Sequence, residues 1–575
     1  MLAACNSGFD SEPSSGGARP PADGTGFGGS TSAAGSTSAG GSGPITEPEQ
    51  EEDLNYRAPV VSGRWVWTAN PDTGKVAVVD AKSFTVRLAD AGVGPTFLTA
   101  LPTKANTSKA LVINVGSHDA TLLSANATGP VNAVGPIALQ ENANAWTVSD
   151  TGKFAIAWMD SHALTPDPTE GYQDFTVVDL RGAEPVATRL SAGFLPSRVF
   201  IDSAEERAFV VAKSGISVID LASAAGPRVL GEQAVSTDLN EDYRTRDVSV
   251  MPDGSYAFVR HEGSAQITLL ELATGALSSI TLGGPVTDLD LVANAQSALA
   301  VVRGSAVPLP PAVGEAGAGG EASAEQAGAA GDSSSTAGAS QGGSGGSGGA
   351  ANPALDPQST LAILPIPGIF SAPKVFDTVS VDELFGLVNI APQGTSALLY
   401  TNAVANSHLT VLETAPGATY KAHRTVDLRG NVRDVFPSPD GAYAIASLLA
   451  KEAGGKPGFA AIPVQSVLPV RVQTTDAPVF AVAQSSGKTA RAVVTVSDGK
   501  ANFAAYVVRM PELVIDPVKL PSRPLPNATG LVPDAGMAYI AQAHPQGRIT
   551  FINLETGVPR TITGFELSAK VVDGN

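Results

Sequence analysis

The hydrophobic pattern is clearest between Met251 and Leu282, where short apolar runs alternate with turn residues. With the preceding Arg246–Val250, this part of the chain contains four apolar runs rich in Val, Ile, Leu, Tyr and Phe, a composition typical of β-strands. A Pro-Asp-Gly turn follows the first run and an Ala-Thr-Gly turn precedes the fourth, and their glycines supply the backbone freedom of tight turns. The pattern predicts a four-stranded antiparallel meander of about 40 residues.

The same pattern recurs along the chain, as in Pro196–Leu221, Asn431–Leu449 and Gly547–Leu567. After a first copy at Arg64, units begin near Thr96, Asn144, Ser197, Arg246, Thr287, Gly386, Asn431, Pro478 and Ala528. Four strands repeated at this period predict an all-β fold, a β-propeller of about eight to ten blades. We favour a single closed ring spanning residues 57–575, although two smaller propellers or some collapsed units would also fit. The first unit lacks a clear innermost strand.

Four phrases from different parts of the repeats are distinctive: WVWTANPDTGKVAVVD, ISVIDL, VSVMPDGSYAFV and TFINLETGVPRTI. They resemble the YVTN-type bacterial propeller repeat over most of Arg64–Leu567. Asn70 and Asn402 keep the asparagine that closes the second strand in that repeat, whereas Arg260 departs from it. The resemblance implies the propeller fold and a family whose members are mostly binding proteins or uncharacterised.

The N-terminus reads Met-Leu-Ala-Ala-Cys, and Cys5 is the only cysteine of the chain. Leu-Ala-Ala-Cys matches a bacterial lipobox, in which the cysteine is lipidated, so we expect residues 1–5 to be the end of a lipoprotein signal. A basic start and an apolar run should precede it, which indicates a truncated sequence or a mis-assigned start codon. Residues 6–56 are rich in Gly, Ser, Ala and Pro, which predicts a disordered tether. The expected location is the bacterial cell envelope, at the outer membrane or the periplasmic face.

The composition argues against several kinds of partner and binding site. The net charge of −19 argues against nucleic acid, which needs clustered Lys and Arg, and against docking on anionic lipid headgroups. A single cysteine leaves no intramolecular disulfide and no cysteine-rich zinc site. The sequence has no run of 18 apolar residues, so the lipid on Cys5 is the only membrane attachment that we expect.

The sixth unit is interrupted by residues 305–358, a Gly/Ala/Ser-rich block with the composition of a disordered segment. Its first two strands precede the block, and Ser359–Pro367 resumes with the third. We therefore expect an insertion into the loop between the second and third strands, which leaves the ring undisturbed.

Charged residues recur at the start of the predicted innermost strands, which line the central channel of a propeller. Asp247, Asp288 and Asp434 each precede an alternating apolar run, and Arg198 holds the same position in its own unit. Three carboxylates and one guanidinium at the mouth of the channel could bind a cation or a polar ligand. Solvated charges at a channel mouth would be the structural alternative.

Five of the six histidines fall in the break between the second and third strands of their units: His118, His162, His261, His408 and His544. These breaks share one rim of the ring, so the imidazoles are candidates for a metal-binding rim. Because neighbouring blades hold such loops on the order of 10 Å apart, whereas metal–nitrogen bonds are about 2 Å, we expect no metal and no cofactor.

These observations predict an envelope lipoprotein whose propeller acts as a binding scaffold for a protein or glycan partner. The alternative is a propeller-type enzyme, lactonase-like or quinoprotein-like, with its site in the central channel. No nucleophile elbow, zinc-protease motif, P-loop or dinucleotide fingerprint supports the enzyme from the sequence.

Overall fold

The computed structural model describes residues 56–565, apart from 105–106, 161–171, 237–242, 293–294, 304–358, 382, 416–422, 453, 467, 488–489, 501 and 522–524. Its strands form ten four-stranded antiparallel sheets, each built from four strands consecutive in the chain. The sheets are the ten blades of a β-propeller. Cys5, residues 6–55 of the predicted tether and the insertion lie outside the described residues, whereas Tyr56, the last residue of that predicted tether, is buried against the propeller.

The first five blades occupy the chain up to residue 281. Blade 1 contains β1 Val60–Ser62, β2 Trp65–Asn70, β3 Lys75–Asp80 and β4 Val86–Asp90; blade 2 contains β5 Pro95–Lys104, β6 Thr107–Asn114, β7 Asp119–Ala125 and β8 Asn132–Ala138. Blade 3 contains β9 Ala145–Val148, β10 Phe154–Trp158, β11 Asp174–Asp179 and β12 Val186–Ser191; blade 4 contains β13 Arg198–Ile201, β14 Arg207–Val211, β15 Gly215–Asp220 and β16 Arg228–Ala234. Blade 5 contains β17 Arg246–Val250, β18 Tyr256–His261, β19 Gln266–Glu271 and β20 Leu277–Thr281.

The other five blades follow in the same strand order. Blade 6 contains β21 Val286–Leu291, β22 Ser297–Arg303, β23 Ser359–Pro365 and β24 Asp377–Ser380; blade 7 contains β25 Leu387–Ile390, β26 Ser396–Tyr400, β27 His408–Glu413 and β28 His423–Asp427. Blade 8 contains β29 Asn431–Pro437, β30 Tyr443–Leu449, β31 Gly458–Pro463 and β32 Arg471–Thr474; blade 9 contains β33 Val479–Gln484, β34 Arg491–Ser497, β35 Phe503–Arg509 and β36 Val514–Val518. Blade 10 contains β37 Pro526–Val532, β38 Met537–Gln542, β39 Arg548–Asn553 and β40 Pro559–Thr563.

Helical structure is limited to short connections: α1 Gly368–Ser371 and 3₁₀ turns at Tyr243–Thr245 and Pro533–Ala535. In the part of the chain that the structure describes, no helix is long and apolar enough to cross a membrane.

The predicted propeller is confirmed, and each unit boundary read from the sequence lies within about two residues of the first strand of its blade. The structure completes the first unit. A short innermost strand, β1, pairs with β2 through Val60–Trp67 and Ser62–Trp65, although the sequence shows no clear run there. Blades 1 and 10 each have four strands of their own, so the ring closes without sharing a strand.

The hydrophobic core is divided among the junctions between consecutive blades, because each blade is apolar on both faces. The middle strands β2 and β31 are buried at every residue, whereas the outer strand β12 alternates between exposed and half-buried residues. One apolar cluster fills each of the ten junctions, including the closing junction of blades 10 and 1. Burying both faces of every sheet in this way needs a closed ring.

At the closing junction, aromatic rings from both ends of the chain pack together. Phe84 of blade 1 meets Phe551 of blade 10 edge-on at 5.6 Å between ring centroids, and Tyr56 meets Phe565 in the same way at 5.3 Å. The Tyr539 hydroxyl donates a hydrogen bond to the Pro59 carbonyl at 3.2 Å. These contacts close the ring.

Side chains also join consecutive blades through hydrogen bonds, most of them to the backbone of the neighbouring blade. Such bonds satisfy peptide groups at sheet edges that have no neighbouring strand to pair with. In ring order they are Ser62 to Leu101, Trp146 to Phe97, Thr147 to Val199, Arg198 to Val248, Arg260 to Val286, Asp288 to Val388, Asn389 to Val435, Gln484 to Phe436, the side-chain pair Thr495 and Thr529, and Tyr539 to Pro59.

The Pro-Asp-Gly turns have a packing role as well as a conformational one. Gly254 has a φ of +65° and Gly441 a φ of +67°, a backbone conformation in which a residue with a side chain is strained. A Cβ on Gly254 would lie 2.7 Å from the Phe209 ring of blade 4, and one on Gly441 would lie 2.6 Å from Gly394 of blade 7. The repeated glycine therefore lets the turn of one blade approach the blade before it.

The insertion leaves and re-enters blade 6 at adjacent positions. Arg303, the last residue of β22, pairs in register with Ser359, the first residue of β23. The two strands thus form an ordinary antiparallel pair that a short turn could connect.

Replacing residues 305–358 with a short Gly-Ser turn should leave the fold intact. The melting temperature should stay within a few degrees of the parent or rise slightly. A shorter loop has a lower entropic cost of closure, and the difference in free energy is about 2 kcal/mol at most. Differential scanning calorimetry of both chains measures the effect. A collapse of cooperative unfolding would show that the block takes part in blade 6.

Candidate functional site

A cavity of about 750 Å³ lies against the innermost strands of blades 4 to 9. Its walls come mainly from β13, β17, β21, β25, β29 and β33, with Asp160, Tyr400 and Asn402 at the rim that also carries the loops between second and third strands. Pro437, Pro439 and Gln484 lie toward the opposite rim, so the cavity follows the length of the channel. Its volume is within the usual range of sites for small ligands.

The four charged residues predicted for the channel mouth all line this cavity. Arg198 begins β13, Asp247 is the second residue of β17, and Asp288 and Asp434 lie within β21 and β29. The position at the start of the innermost strand therefore brings them together across four blades. That they bind a ligand stays a prediction.

Asp247 lies between two arginines. Its carboxylate oxygens are each 3.5 Å from a guanidinium nitrogen, one of Arg198 and one of Arg260. The same two arginines donate to the carbonyls of Val248 and Val286 at 3.4 Å. Charge-assisted hydrogen bonds are normally 2.7–2.9 Å long, so both arginines hold Asp247 loosely.

Asp288 and Asp290 join the innermost strands of blades 6 and 7. Asp288 accepts hydrogen bonds from the backbone N–H groups of Leu289 at 2.9 Å and Val388 at 2.8 Å. Asp290, two residues further along the same face, accepts from Leu291 at 2.9 Å and Ile390 at 3.2 Å. Two side chains thus take the place of main-chain pairing between β21 and β25.

The surroundings of this pair favour its protonated forms. Both side chains keep only a partly exposed surface in the cavity wall. Burial raises the pKa of Asp288 to about 6, against the backbone hydrogen bond from Val388, which lowers it. Burial, and then the neighbouring charge of Asp288, raise the pKa of Asp290 to about 8. The Asp290 carboxyl therefore keeps a proton near neutral pH.

The wall formed by blades 7 and 8 contains Asp434 and Tyr400. Burial raises the pKa of Asp434, although Arg433, whose Nε lies 3.2 Å from its carboxylate, lowers it. Burial and then the charge of Asp434 raise the pKa of the Tyr400 phenol, so this hydroxyl stays protonated at ordinary pH. Asn389 and Asn402 donate side-chain hydrogen bonds to the carbonyls of Val435 and Arg433.

The predicted histidine rim does not converge on the cavity. His261 ends β18, His118 lies in the turn before β7, and neither lines the cavity. His408 Nδ1 lies 2.8 Å from a carboxylate oxygen of Glu383, and the buried His544 accepts a hydrogen bond from the backbone N–H of Gln546. His162 is outside the described residues. Among the residues that the structure describes, no group of three His, Cys, Asp or Glu side chains could hold a metal ion.

Sequence reasoning missed most of the other polar residues of the cavity, among them Asp290, Arg260, Asn389 and Gln484. A signal existed for two of them. The sequence Thr-Asp-Leu-Asp-Leu places Asp290 on the same face as Asp288, and Arg260 stands where the repeat otherwise has asparagine. Asn389 and Gln484 occupy ordinary polar positions of their strands, and no local pattern distinguishes them.

Comparison with known proteins adds no functional evidence. No family model and no curated protein matches the chain. Among solved structures it is similar to a eukaryotic initiation factor (11% identity, 82% of this chain and 98% of that one, TM-score 0.47). It is also similar to dihydro-heme d1 dehydrogenase NirN in complex with DHE (12%, 92% and 77%, 0.39) and to Kuenenia stuttgartiensis hydrazine synthase (14%, 75% and 99%, 0.31). At these values the likenesses carry no argument about chemistry, and the fold assignment rests on the strand pairing.

Proposed function

We propose that this protein is a binding propeller of the bacterial cell envelope, of the YVTN type, which holds a protein or glycan partner through its central cavity. The observation that supports it is the cavity itself: a polar space of about 750 Å³ whose charged groups come from consecutive blades. A scaffold of ten blades held by apolar junctions keeps these groups in fixed positions, as selective binding requires.

Attachment to the envelope is the second element of the proposal, and it rests on the sequence. Cys5 ends a lipobox, and the polar residues 6–56 follow it. A lipid on Cys5 would hold the propeller at a membrane, and the tether would let the cavity face its partner at a distance on the order of 40 Å.

Expressed behind a complete lipoprotein signal, the protein should partition into detergent, and Cys5→Ser should move most of it to the aqueous phase. The reason is the loss of the only acylation site that the sequence offers. Triton X-114 partitioning with immunoblotting measures the ratio. A substituted protein that stays with the detergent would show that lipidation is not its anchor.

Loss of the arginines around Asp247 should reduce partner retention at least tenfold. The double variant Arg198→Gln/Arg260→Gln removes both guanidinium groups from the cavity wall. The matched control, Arg181→Gln/Arg189→Gln, makes the same chemical change at exposed ion pairs of blade 3, with Asp179 and Asp174. Each immobilised protein is incubated with detergent-extracted bacterial envelope, and bound proteins and glycans are quantified by mass spectrometry.

Material retained equally by the parent and the control, but lost from the cavity variant, would support the proposal. Equal retention by all three proteins, or none by any, would contradict it. Circular dichroism melting of each variant ensures that the comparison is made between folded proteins.

A central-channel enzyme is the second candidate, and one observation favours it. Asp290 keeps a proton near neutral pH next to the ionisable Asp288, and two carboxyl groups with separated pKa values are a usual arrangement for general acid and base catalysis. Turnover of a retained compound, abolished in Asp290→Asn while its binding persists, would establish this alternative.

A further inference from the structure

Most of the charges that line the central cavity have a partner within the protein. Five aspartates and three arginines belong to the lining, and their partners are close: Asp247 has Arg198 and Arg260, Asp434 has Arg433, and Arg246 donates to the Ala212 carbonyl. Asp288 and Asp290 are held by backbone N–H groups. A charged ligand would have to break one of these pairs and leave its other member without a partner, which is costly in a confined site.

Uncharged hydrogen-bonding groups complete the lining: Ser197, Ser249, Asn389, Tyr400, Asn402 and Gln484. Asn389 and Asn402 each use the amide nitrogen to hold a neighbouring blade, while their amide oxygens have no hydrogen bond among the described residues and remain available as acceptors. The cavity therefore presents uncharged donors and acceptors close to charged groups that mostly have partners already.

The loose geometry around Asp247 indicates what could be inserted there. At 3.5 Å, the contacts of its carboxylate with Arg198 and Arg260 exceed normal charge-assisted hydrogen bonds by about 0.6 Å. A hydroxyl group accepts from a guanidinium and donates to a carboxylate at the same time. Neighbouring hydroxyls of one ligand could thus bridge Asp247 to both arginines, so that each ion pair is replaced by two shorter hydrogen bonds.

The rest of the wall is apolar. Leu387, Phe436, Pro437 and Val482 are partly exposed and supply this apolar surface, whereas Val248, Val388 and Val435 are almost fully buried in the blade junctions. A ligand that suits this wall has hydroxyl groups on its edges and hydrocarbon on its faces.

From these observations we infer that the cavity binds an uncharged saccharide, with Asp247, Arg198 and Arg260 holding adjacent hydroxyl groups. The inference rests on the proposed binding function and names the class of its ligand. It selects the glycan over the protein partner, because each hydroxyl of a sugar can accept from an arginine and donate to Asp247 at one atom, whereas a peptide group carries its donor and its acceptor on different atoms.

Isothermal titration calorimetry tests the ligand class with two sets of probes: neutral oligosaccharides prepared by partial hydrolysis of bacterial envelope polysaccharide, and charged oligosaccharides and short peptides of similar size. The parent protein and the Arg181→Gln/Arg189→Gln control should bind at least one neutral fraction. Asp247→Asn, which keeps the size but removes the carboxylate, should weaken that binding about tenfold or more, since a hydrogen bond to a charged group contributes about 1.5–3 kcal/mol.

Binding of charged probes alone, or neutral binding that Asp247→Asn leaves unchanged, would overturn the saccharide assignment. So would the absence of binding to every neutral fraction. If the envelope-capture experiment still shows cavity-dependent retention, only the ligand class fails. If capture also shows none, the proposed function fails with it.

Discussion

A chain that lacks residues 526–575 should aggregate rather than fold into a smaller ring. Blade 10 covers an apolar face on each side: one with blade 9, through Val507 and Ile540, and one with blade 1, through Val66 and Phe551. Removal of blade 10 exposes the apolar faces of blades 9 and 1 to water, and large exposed apolar patches drive association. Size-exclusion chromatography with light scattering distinguishes aggregate from monomer.

An open solenoid makes the opposite prediction, because loss of its terminal repeat removes only one interface and leaves the remainder folded. A monomeric, folded truncation would therefore contradict ring closure.

A double-mutant cycle tests the same closure without removing any chain. Phe84→Ala and Phe551→Ala should each destabilise the protein by about 3–5 kcal/mol, since both rings are buried. The double variant should show a coupling of about 0.5–1.5 kcal/mol, because the rings touch only where blade 1 meets blade 10. Phe84→Ala with Phe459→Ala, at the junction of blades 8 and 9, is the matched pair and should be additive.

Asp290→Asn should stabilise the protein at alkaline pH. The pKa of Asp290 is about 8 in the folded protein and about 3.9 in an unfolded chain, so the folded state binds the extra proton between these values. Stability therefore falls by about 1.4 kcal/mol per pH unit as the pH rises from about 4 toward 8, and Asp288 adds to the slope between about 4 and 6. Asparagine keeps the acceptor oxygen for Ile390 but cannot ionise, which removes the contribution of Asp290.

Urea unfolding followed by tryptophan fluorescence from pH 5 to 9 measures this effect. The control, Asp179→Asn, should change the stability in the opposite direction and destabilise the protein. Arg181 hydrogen-bonds the Asp179 carboxylate and lowers its pKa, so this aspartate stabilises the fold above about pH 4. Parallel pH profiles for the parent and Asp290→Asn would show that Asp290 is ionised in the folded state.

The fold could be predicted from the sequence because a propeller repeats its local rules in every blade. Each Pro-Asp-Gly or Thr-Gly turn and each apolar run is dictated by neighbours within about 40 residues, and the ten repeats reinforce one another. The short β1 escaped prediction because its three residues pair with β2 through geometry that no periodicity reveals.

The site could be predicted only in part. Arg198, Asp247, Asp288 and Asp434 were placed correctly on the channel because they share one position of the repeat. The pairing of Asp288 and Asp290 with blade 7 joins residues 100 apart, and the insertion lies between them. Such contacts depend on how closely neighbouring blades approach, which no single repeat encodes. The histidines share a repeat position too, but the ring keeps them in separate local contacts.

Because the first and last blades close the ring without exchanging a strand, the chain could begin at a blade other than blade 1. Tyr56 and Phe565 already touch, so a linker of a few residues could join them, and the polypeptide could begin at any gap between blades or within blade 6 at residue 359. Circular permutants opened at these places should adopt the same ring. A propeller of this kind can thus have its chain ends moved from one blade to another by gene rearrangement while the channel stays unchanged.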